Sequence, residues 1–183
     1  MDADYEVEIG GGAPVIEALW PGFVDLRRSP ERIGQIQEAV AFAPLATLLL
    51  ALNGDRSPLW TSKCDQWERD PAEIAAGDRY GLACYVDFLP VQGAVFPRWQ
   101  QAEAFCMQWV GRLGPVQAPR CRVELIVRQA FAGESEGFGV TAYLSASGRK
   151  RSEAADAFAA FMVAFADAIP GAIPPANAVS KLQ

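Results

Sequence analysis

The chain has 183 residues, 51% of them hydrophobic, which is enough for one domain whose core needs neither a metal nor a disulfide to fold. Its 22 acidic and 16 basic residues give a formal net charge of −6, and a negative field disfavours binding to nucleic acid. No histidine is present, which excludes Ser-His-Asp and Cys-His catalysis, histidine-ligated metals and histidine as a general base.

The first part of the chain predicts two strands and a broken helix. Residues 5–9 alternate between polar and apolar, which is typical of a half-buried strand, and residues 15–26 resume an extended apolar run. Ser29-Pro30-Glu31 is typical of a helix start. The helix is expected to kink or restart at Pro44, which lacks an amide hydrogen, and to end at Asn53-Gly54.

The rest of the chain predicts the order strand, strand, helix twice more. Residues 59–67 and 80–89 are extended, and an apolar stripe begins after Pro97 and ends at Gly114-Pro115. In residues 121–128 Cys121, Val123, Leu125 and Val127 share one strand face, and Arg122, Glu124 and Arg128 share the other. Residues 138–145 form the returning strand, and Ser152 is expected to cap a last helix.

These elements predict an α+β fold with a mostly antiparallel, twisted sheet built from three successive strand-strand-helix units. Each predicted helix has one apolar stripe, so the helices are expected to pack on one face of the sheet. We expect a single domain over residues 1–170 and an irregular tail over residues 171–183, which contains Gly171, Pro174 and Pro175.

The other face of the predicted sheet is the candidate ligand-binding surface, because its strand positions carry charged and hydroxyl side chains. Arg122 and Arg128 would hold an anionic ligand, and Glu124, Asp87 or Tyr85 would handle protons. Alternating charged strands also commonly face water, and that interpretation stays open. The candidate residues are Arg122, Glu124, Arg128, Tyr85, Asp87, Tyr143, Lys63 and Asp65.

The hypothesis that the sequence favours is a soluble, non-catalytic binding or interaction module, most simply a homodimer, with the candidate ligand-binding surface as the alternative. It depends on the leucines of residues 45–52, which one small sheet is not expected to cover fully, and on the absence of catalytic motifs. An exposed apolar patch of this kind marks an interface. The candidate interface residues are Leu45, Leu48, Leu49 and Leu52.

A cofactor-independent enzyme and a thiol enzyme centred on Cys64 are the remaining alternatives. Lys63 beside Cys64 would lower the pKa of the thiol, although adjacent strand residues point to opposite faces. The dispersed cysteines and the missing C-x-x-C pair predict no metal site. We expect no cofactor and no membrane span. A cytoplasmic location is expected because the chain begins without a signal-peptide pattern.

Overall fold

A computed structural model describes residues 1–74 and 77–173 and shows an α+β fold on a six-stranded mixed sheet. The order across the sheet is β1-β5-β6-β4-β3, and β2 lies on the same edge as β1 because both pair with β5. β1 and β2 run parallel to β5, whereas the β3–β4, β4–β6 and β5–β6 pairs are antiparallel. The strands are β1 (Asp2–Val7), β2 (Ile16–Glu17), β3 (Leu59–Glu68), β4 (Tyr80–Pro90), β5 (Cys121–Ala132) and β6 (Ser135–Gly148).

The described residues contain α1 (Gln37–Ala41), α2 (Ala43–Leu52), α3 (Trp99–Leu113) and α4 (Arg151–Asp167), with short 3-10 helices at Pro30–Gln35 and Pro71–Glu73. The break between α1 and α2 falls at Phe42, whose backbone is extended with φ −138°. Pro44 follows in the first turn of α2, where its missing amide hydrogen costs no helical hydrogen bond.

The helices and alternate residues of the strands form one large apolar core. Val86, Val123 and Leu144 come from neighbouring strands and pack in the same buried cluster as the aromatic residues of α3 and α4. The rings of Trp109 and Phe165 stack with centroids 4.3 Å apart and join these two helices. Burying one such side chain stabilises the fold by about 1.5–3 kcal/mol, so the core gives the opposite sheet face a firm support.

The structure does not confirm the three repeated units. The orders β3-β4-α3 and β5-β6-α4 are present, but β1 and β2 do not pair with each other and instead lie side by side along β5. Of the extended run expected over residues 15–26, only Ile16–Glu17 is a strand. The segment that follows leaves the edge of the sheet, and the hydroxyl of Ser62 on β3 donates to the carbonyl of Ala18 at 2.7 Å.

The leucines of α2 are not exposed, so the premise of the predicted interface is wrong. Leu45, Leu48, Leu49 and Leu52 are each at most 1% exposed. α2 contacts both α4 and β3, and all four side chains belong to the main core. α4 covers the leucines, and a local sequence pattern carries no information about that distant contact.

The C-terminal residues and the hydropathy of the helices bear on two further predictions. Residues 171–173 lie in no helix or strand, and the rest of the predicted tail, residues 174–183, lies outside the described residues. None of the helices within residues 1–74 and 77–173 has the length and apolar character that a bilayer span requires. The single domain over residues 1–170 stays a prediction.

Candidate functional site

The strand residues that point away from the main core form the sheet face opposite the helices, which we call the open face. One end of this face is covered by a second, smaller apolar cluster that consists of Ile16, Ala18, Leu89, Val95, Ala130 and Ala132. Strand pairing arranges this face in rows that cross β5, β6, β4 and β3 in turn. One row consists of Glu124, Tyr143, Tyr85 and Asp65, and the next row towards the start of β5 consists of Arg122, Ser145, Ala83 and Trp67.

The row that starts at Arg122 is the floor of a groove. Its two middle residues, Ser145 and Ala83, have small side chains, whereas Arg122 and Trp67 at its ends have long ones. Neighbouring strands lie about 4.8 Å apart, so three spacings separate the Cα atoms of Arg122 and Trp67 by about 14 Å. The sequence therefore creates a trough between a guanidinium and an indole. We call it the end groove.

One wall of the end groove is the connection from β3 to β4. It approaches the sheet at Gly81, where an added Cβ would lie 3.0 Å from Cβ of Arg69 and 3.1 Å from Cγ1 of Ile74. The amide of Arg69 donates to the carbonyl of Gly81 at 2.9 Å. Because Gly81 has no side chain, the connection can fold back and bring Arg69 and Glu73 to the groove.

The end groove has an aromatic part and a more polar part. The aromatic part has a volume of about 240 Å³ and is lined by Trp67 and Tyr143 together with Arg122 and Glu124. The second part, about 530 Å³, is lined by Arg120, Asp2 and both serines of β6 that face it. The two parts share Arg69, Glu73, Arg122 and Ser145, so they form one continuous site.

Arg122 is held only loosely by its carboxylate neighbours. Its Nε lies 3.7 Å from Oδ2 of Asp2, and its Nη2 lies 3.9 Å from Oε2 of Glu124. Hydrogen-bonded pairs of guanidinium and carboxylate are closer, at about 2.8 Å. The side chain of Arg122 is also 57% exposed, so a ligand can replace these contacts at little cost.

Arg120 lies beside Arg122 in the groove and has an unusual backbone. Its φ is +71°, in the left-handed region that residues other than glycine rarely adopt. The carbonyl of Arg120 accepts the amide of Ser147 at 3.1 Å, and its Nη1 lies 3.6 Å from Oδ1 of Asp78. Strained residues of this kind are held in place by their surroundings and cluster at ligand sites.

A second group of polar residues lies further along the open face and is more buried. We call Arg128, Glu8, Asp87, Thr141 and Lys63 the central cluster. Nη2 of Arg128 donates to Oε2 of Glu8 at 2.9 Å, and the guanidinium lies 5.7 Å from the centroid of the Tyr143 ring. The side chain of Arg128 is only 12% exposed.

Asp87 is the buried acid of the central cluster. It is 7% exposed, and the hydroxyl of Thr141 donates to its Oδ1 at 2.5 Å. Burial raises the pKa of Asp87, while the Thr141 hydrogen bond and the charges of Arg128 and Lys63 act in the opposite direction. Lys63 also lies over Trp20, with Nζ 5.6 Å from the ring centroid.

A row of aromatic rings joins the two groups. The centroids of Trp67 and Tyr85 are 6.4 Å apart, and those of Tyr85 and Tyr143 are 5.9 Å apart. Burial, followed by the nearby charges of Asp87 and Asp65, raises the pKa of Tyr85 to about 12. Tyr85 therefore keeps its proton near neutral pH and is a hydrogen-bond donor there, not a base.

The predicted site residues share one face but divide between these two groups. Arg122, Glu124 and Tyr143 line the end groove, whereas Arg128, Asp87 and Lys63 belong to the central cluster. Tyr85 lies between the two groups and Asp65 is exposed beside it. Six residues along one strand separate the Cα atoms of Arg122 and Arg128 by about 20 Å. This distance is greater than the length of one small anion.

Sequence reasoning missed most of the groove residues, including Trp67 and Ser145 in its floor row, and Arg69, Glu73 and Arg120 around it. Arg69 and Glu73 lie in a connection that was expected to be an ordinary polar loop, and Arg120 precedes a strand in a conformation that its residue type does not favour. One signal was available for the connection: Gly81 interrupts an apolar strand, and a glycine there indicates the close approach of another backbone segment.

Cys64 does not have the properties of a nucleophile. Burial raises the pKa of its thiol to about 12, and the charges of Glu38 and Asp65 act in the same direction. A thiol whose pKa is raised in this way stays protonated at neutral pH, which argues against the thiol-enzyme hypothesis. All four cysteines are free, and the cytoplasmic location stays a prediction.

The fold and the groove define an α+β protein with a ligand-sized site on the open face of a mixed sheet. Comparisons with protein-family models, with curated protein sequences and with solved structures find no match to this chain. The function is therefore argued from the groove itself.

Proposed function

We propose that the protein binds a small molecule in the end groove, with an anionic group of the ligand at Arg122 and a flat ring at Trp67. The observation that carries this proposal is the row Arg122, Ser145, Ala83, Trp67, in which two small residues separate a cation from an aromatic side chain. Ligand sites combine apolar surface with a few polar groups that fix orientation, and this row has both.

The state of each end of the groove supports the same proposal. Trp67 is 37% exposed, so part of its side chain is accessible to a ring of the ligand. The guanidinium of Arg122 is loosely paired, so it can donate two parallel hydrogen bonds to a carboxylate or phosphate. Ser145 supplies a hydroxyl at the floor between them.

We favour binding over catalysis for this groove. Among the described residues, Asp87 is the carboxylic acid whose burial best suits it to proton transfer. It lies in the central cluster, where Thr141 is its hydrogen-bond partner, and not among the residues that line the groove. An enzyme that uses Asp87 would first have to open that cluster.

Isothermal titration calorimetry with 2-naphthoate, a flat ring with one carboxylate, tests the proposal. Trp67→Leu removes the stacking surface and Arg122→Gln removes the cation, and each is expected to weaken binding about tenfold. The matched controls are Trp20→Leu and Arg28→Gln. Trp20 is 36% exposed against 37% for Trp67, and the side chain of Arg28 is 89% exposed.

The control variants are expected to bind the probe as the wild type does. Equal losses in Trp67→Leu and Trp20→Leu would show nonspecific adsorption to exposed indoles. Unchanged affinity in both groove variants would contradict the proposed site.

Self-association on the helix side is a second candidate function. The buried leucines do not support it, but an apolar groove of about 370 Å³ lies between α2 and α4. It is lined by Ala43, Thr47, Ala159 and Val163, and Val163 is 52% exposed. Burying such a surface against a second copy would stabilise a dimer.

Light scattering at increasing protein concentration tests this candidate. A dimer that Val163→Glu converts to a monomer would support it, because the added charge would be buried in the interface. Val40→Glu is the control, since Val40 is 66% exposed and does not line the groove. A wild-type chain that stays monomeric throughout contradicts the candidate.

A further inference from the structure

Resting on the proposed function, we infer that the ligand of the end groove is a nucleoside monophosphate. Its base stacks on Trp67, its sugar lies over Ser145 and Ala83, and its phosphate is held at Arg122 and Arg120. The order of chemical groups along such a ligand matches the order of side chains along the groove.

The number of guanidinium groups favours phosphate over carboxylate. Arg69, Arg120 and Arg122 all line the wider part of the groove, although the chain as a whole has a net charge of −6. The carboxylate partners of Arg120 and Arg122 lie 3.6–3.9 Å away, so these two guanidinium groups are available. Nη2 of Arg69 instead donates to the carbonyl of Glu73 at 2.5 Å, which holds Arg69 in the wall of the groove. A phosphate monoester carries about 1.5 to 2 negative charges near pH 7 and has enough oxygen atoms to bind more than one arginine.

The acidic side chains of the groove argue against further phosphate groups. Asp2, Glu73 and Glu124 line the groove together with the arginines. Their carboxylates repel additional negative charge but accept hydrogen bonds from ribose hydroxyl groups or from the amino groups of a base. A monophosphate leaves these acids for the sugar and the base, whereas a triphosphate would place two more charged groups among them.

The floor and the aromatic end suit a sugar and a base. Ser145 and Ala83 are small enough for a ribose to lie on them, and the Ser145 hydroxyl can hydrogen-bond to it. Trp67 and Tyr143 both line the adjoining part. Stacking on an aromatic side chain accepts every base, because every base has a flat face, and removing the aromatic ring weakens binding about tenfold.

Calorimetric titration with AMP, adenosine and ribose 5-phosphate tests the inference. Adenosine lacks the phosphate of AMP, and ribose 5-phosphate lacks its base. Trp67→Leu is expected to weaken the binding of AMP and of adenosine about tenfold and to leave the affinity for ribose 5-phosphate unchanged. Arg122→Gln is expected to weaken the binding of AMP and of ribose 5-phosphate about tenfold and to leave the affinity for adenosine unchanged. Trp20→Leu and Arg28→Gln serve as controls and should bind all three compounds as the wild type does.

The remaining outcomes separate this inference from the proposed function. If AMP, GMP, CMP and UMP all bind without dependence on Trp67 and Arg122, or do not bind, the nucleotide inference is overturned. The proposed function survives that result if the binding of 2-naphthoate still depends on Trp67 and Arg122. If 2-naphthoate binding does not depend on them, the proposed function fails together with the nucleotide inference. Tighter binding of ATP than of AMP would also overturn the choice of a monophosphate.

Discussion

Arg122 and Arg128 lie on the same face of the same strand, yet their surroundings give them different roles. Arg128 is 12% exposed and its guanidinium is 2.9 Å from Glu8, whereas Arg122 is 57% exposed and its nearest carboxylate is 3.7 Å away. A tight, shielded pair stabilises the fold, and a loose, exposed one leaves a cation free for a ligand. The sheet face therefore combines a structural centre with an end that we propose as the ligand site.

The residues opposite each arginine account for the difference. Arg128 pairs across the sheet with Gly139, so no side chain on β6 separates it from its neighbours, and it reaches the hydroxyl of Tyr143 at 3.5 Å. Arg122 pairs with Ser145, beside the space that the small floor residues leave open.

Replacing each arginine by methionine gives the largest expected contrast. Arg128→Met is expected to lower the free energy of unfolding by about 2 kcal/mol, because Glu8 and Tyr143 lose a shielded charged partner. Arg122→Met is expected to change it by about 0.5 kcal/mol at most. Urea unfolding measures both, and similar losses in the two variants would contradict the division of the face.

The hydroxyl groups on β6 give a smaller contrast. Thr141→Val keeps the shape of the side chain but leaves Asp87 without its donor, so we expect a loss of about 1–2 kcal/mol in the free energy of unfolding. Ser145→Ala, on the same strand face, is expected to cost less than about 0.5 kcal/mol because Ser145 faces the groove. Equal costs would indicate that Ser145 also belongs to the structural centre.

The smallest expected effect is a change in how stability depends on pH. The pKa of Asp87 is raised in the folded protein, so the folded state binds this proton more tightly than the unfolded state does. This contribution to stability is present in full below the unfolded-state pKa of about 3.9 and is lost as pH rises through the folded-state pKa. Asp87→Asn is therefore expected to gain stability relative to the wild type as pH rises through this range.

Urea unfolding of both proteins at a series of pH values between about 3 and 7 measures this difference. Asp65→Asn, which removes an exposed acid of the same face, serves as the control. A constant difference between Asp87→Asn and the wild type would show that Asp87 does not titrate in this way.

The local parts of the fold were predictable because they depend on near neighbours in the chain. The alternation around Arg122, Glu124 and Arg128 placed these three side chains on one face, and the pairing of β5 with β6 bears this out. The apolar stripes of α3 and α4 were also visible in the sequence. Short-range periodicity is enough for such elements.

The parts that the sequence did not reveal depend on contacts between distant segments. The parallel pairing of β1 with β5 joins Asp2 to Arg122, and α4 covers the leucines of α2. The fold-back of residues 69–74 onto Gly81 supplies two residues of the groove. No local pattern specifies these contacts, which explains why the sequence merged two distinct groups of side chains on this face into one candidate site.

Mapping of backbone amide shifts by NMR during titration with AMP tests the central claim most directly. We expect the shifts to concentrate at Arg122, Ser145 and Arg69, with the indole N–H of Trp67 moving alongside them. The amides of Asp87 and Arg128 should move little. Shifts centred on the central cluster or on the helix side, or spread evenly over all basic residues, would contradict the assignment of the end groove as the binding site.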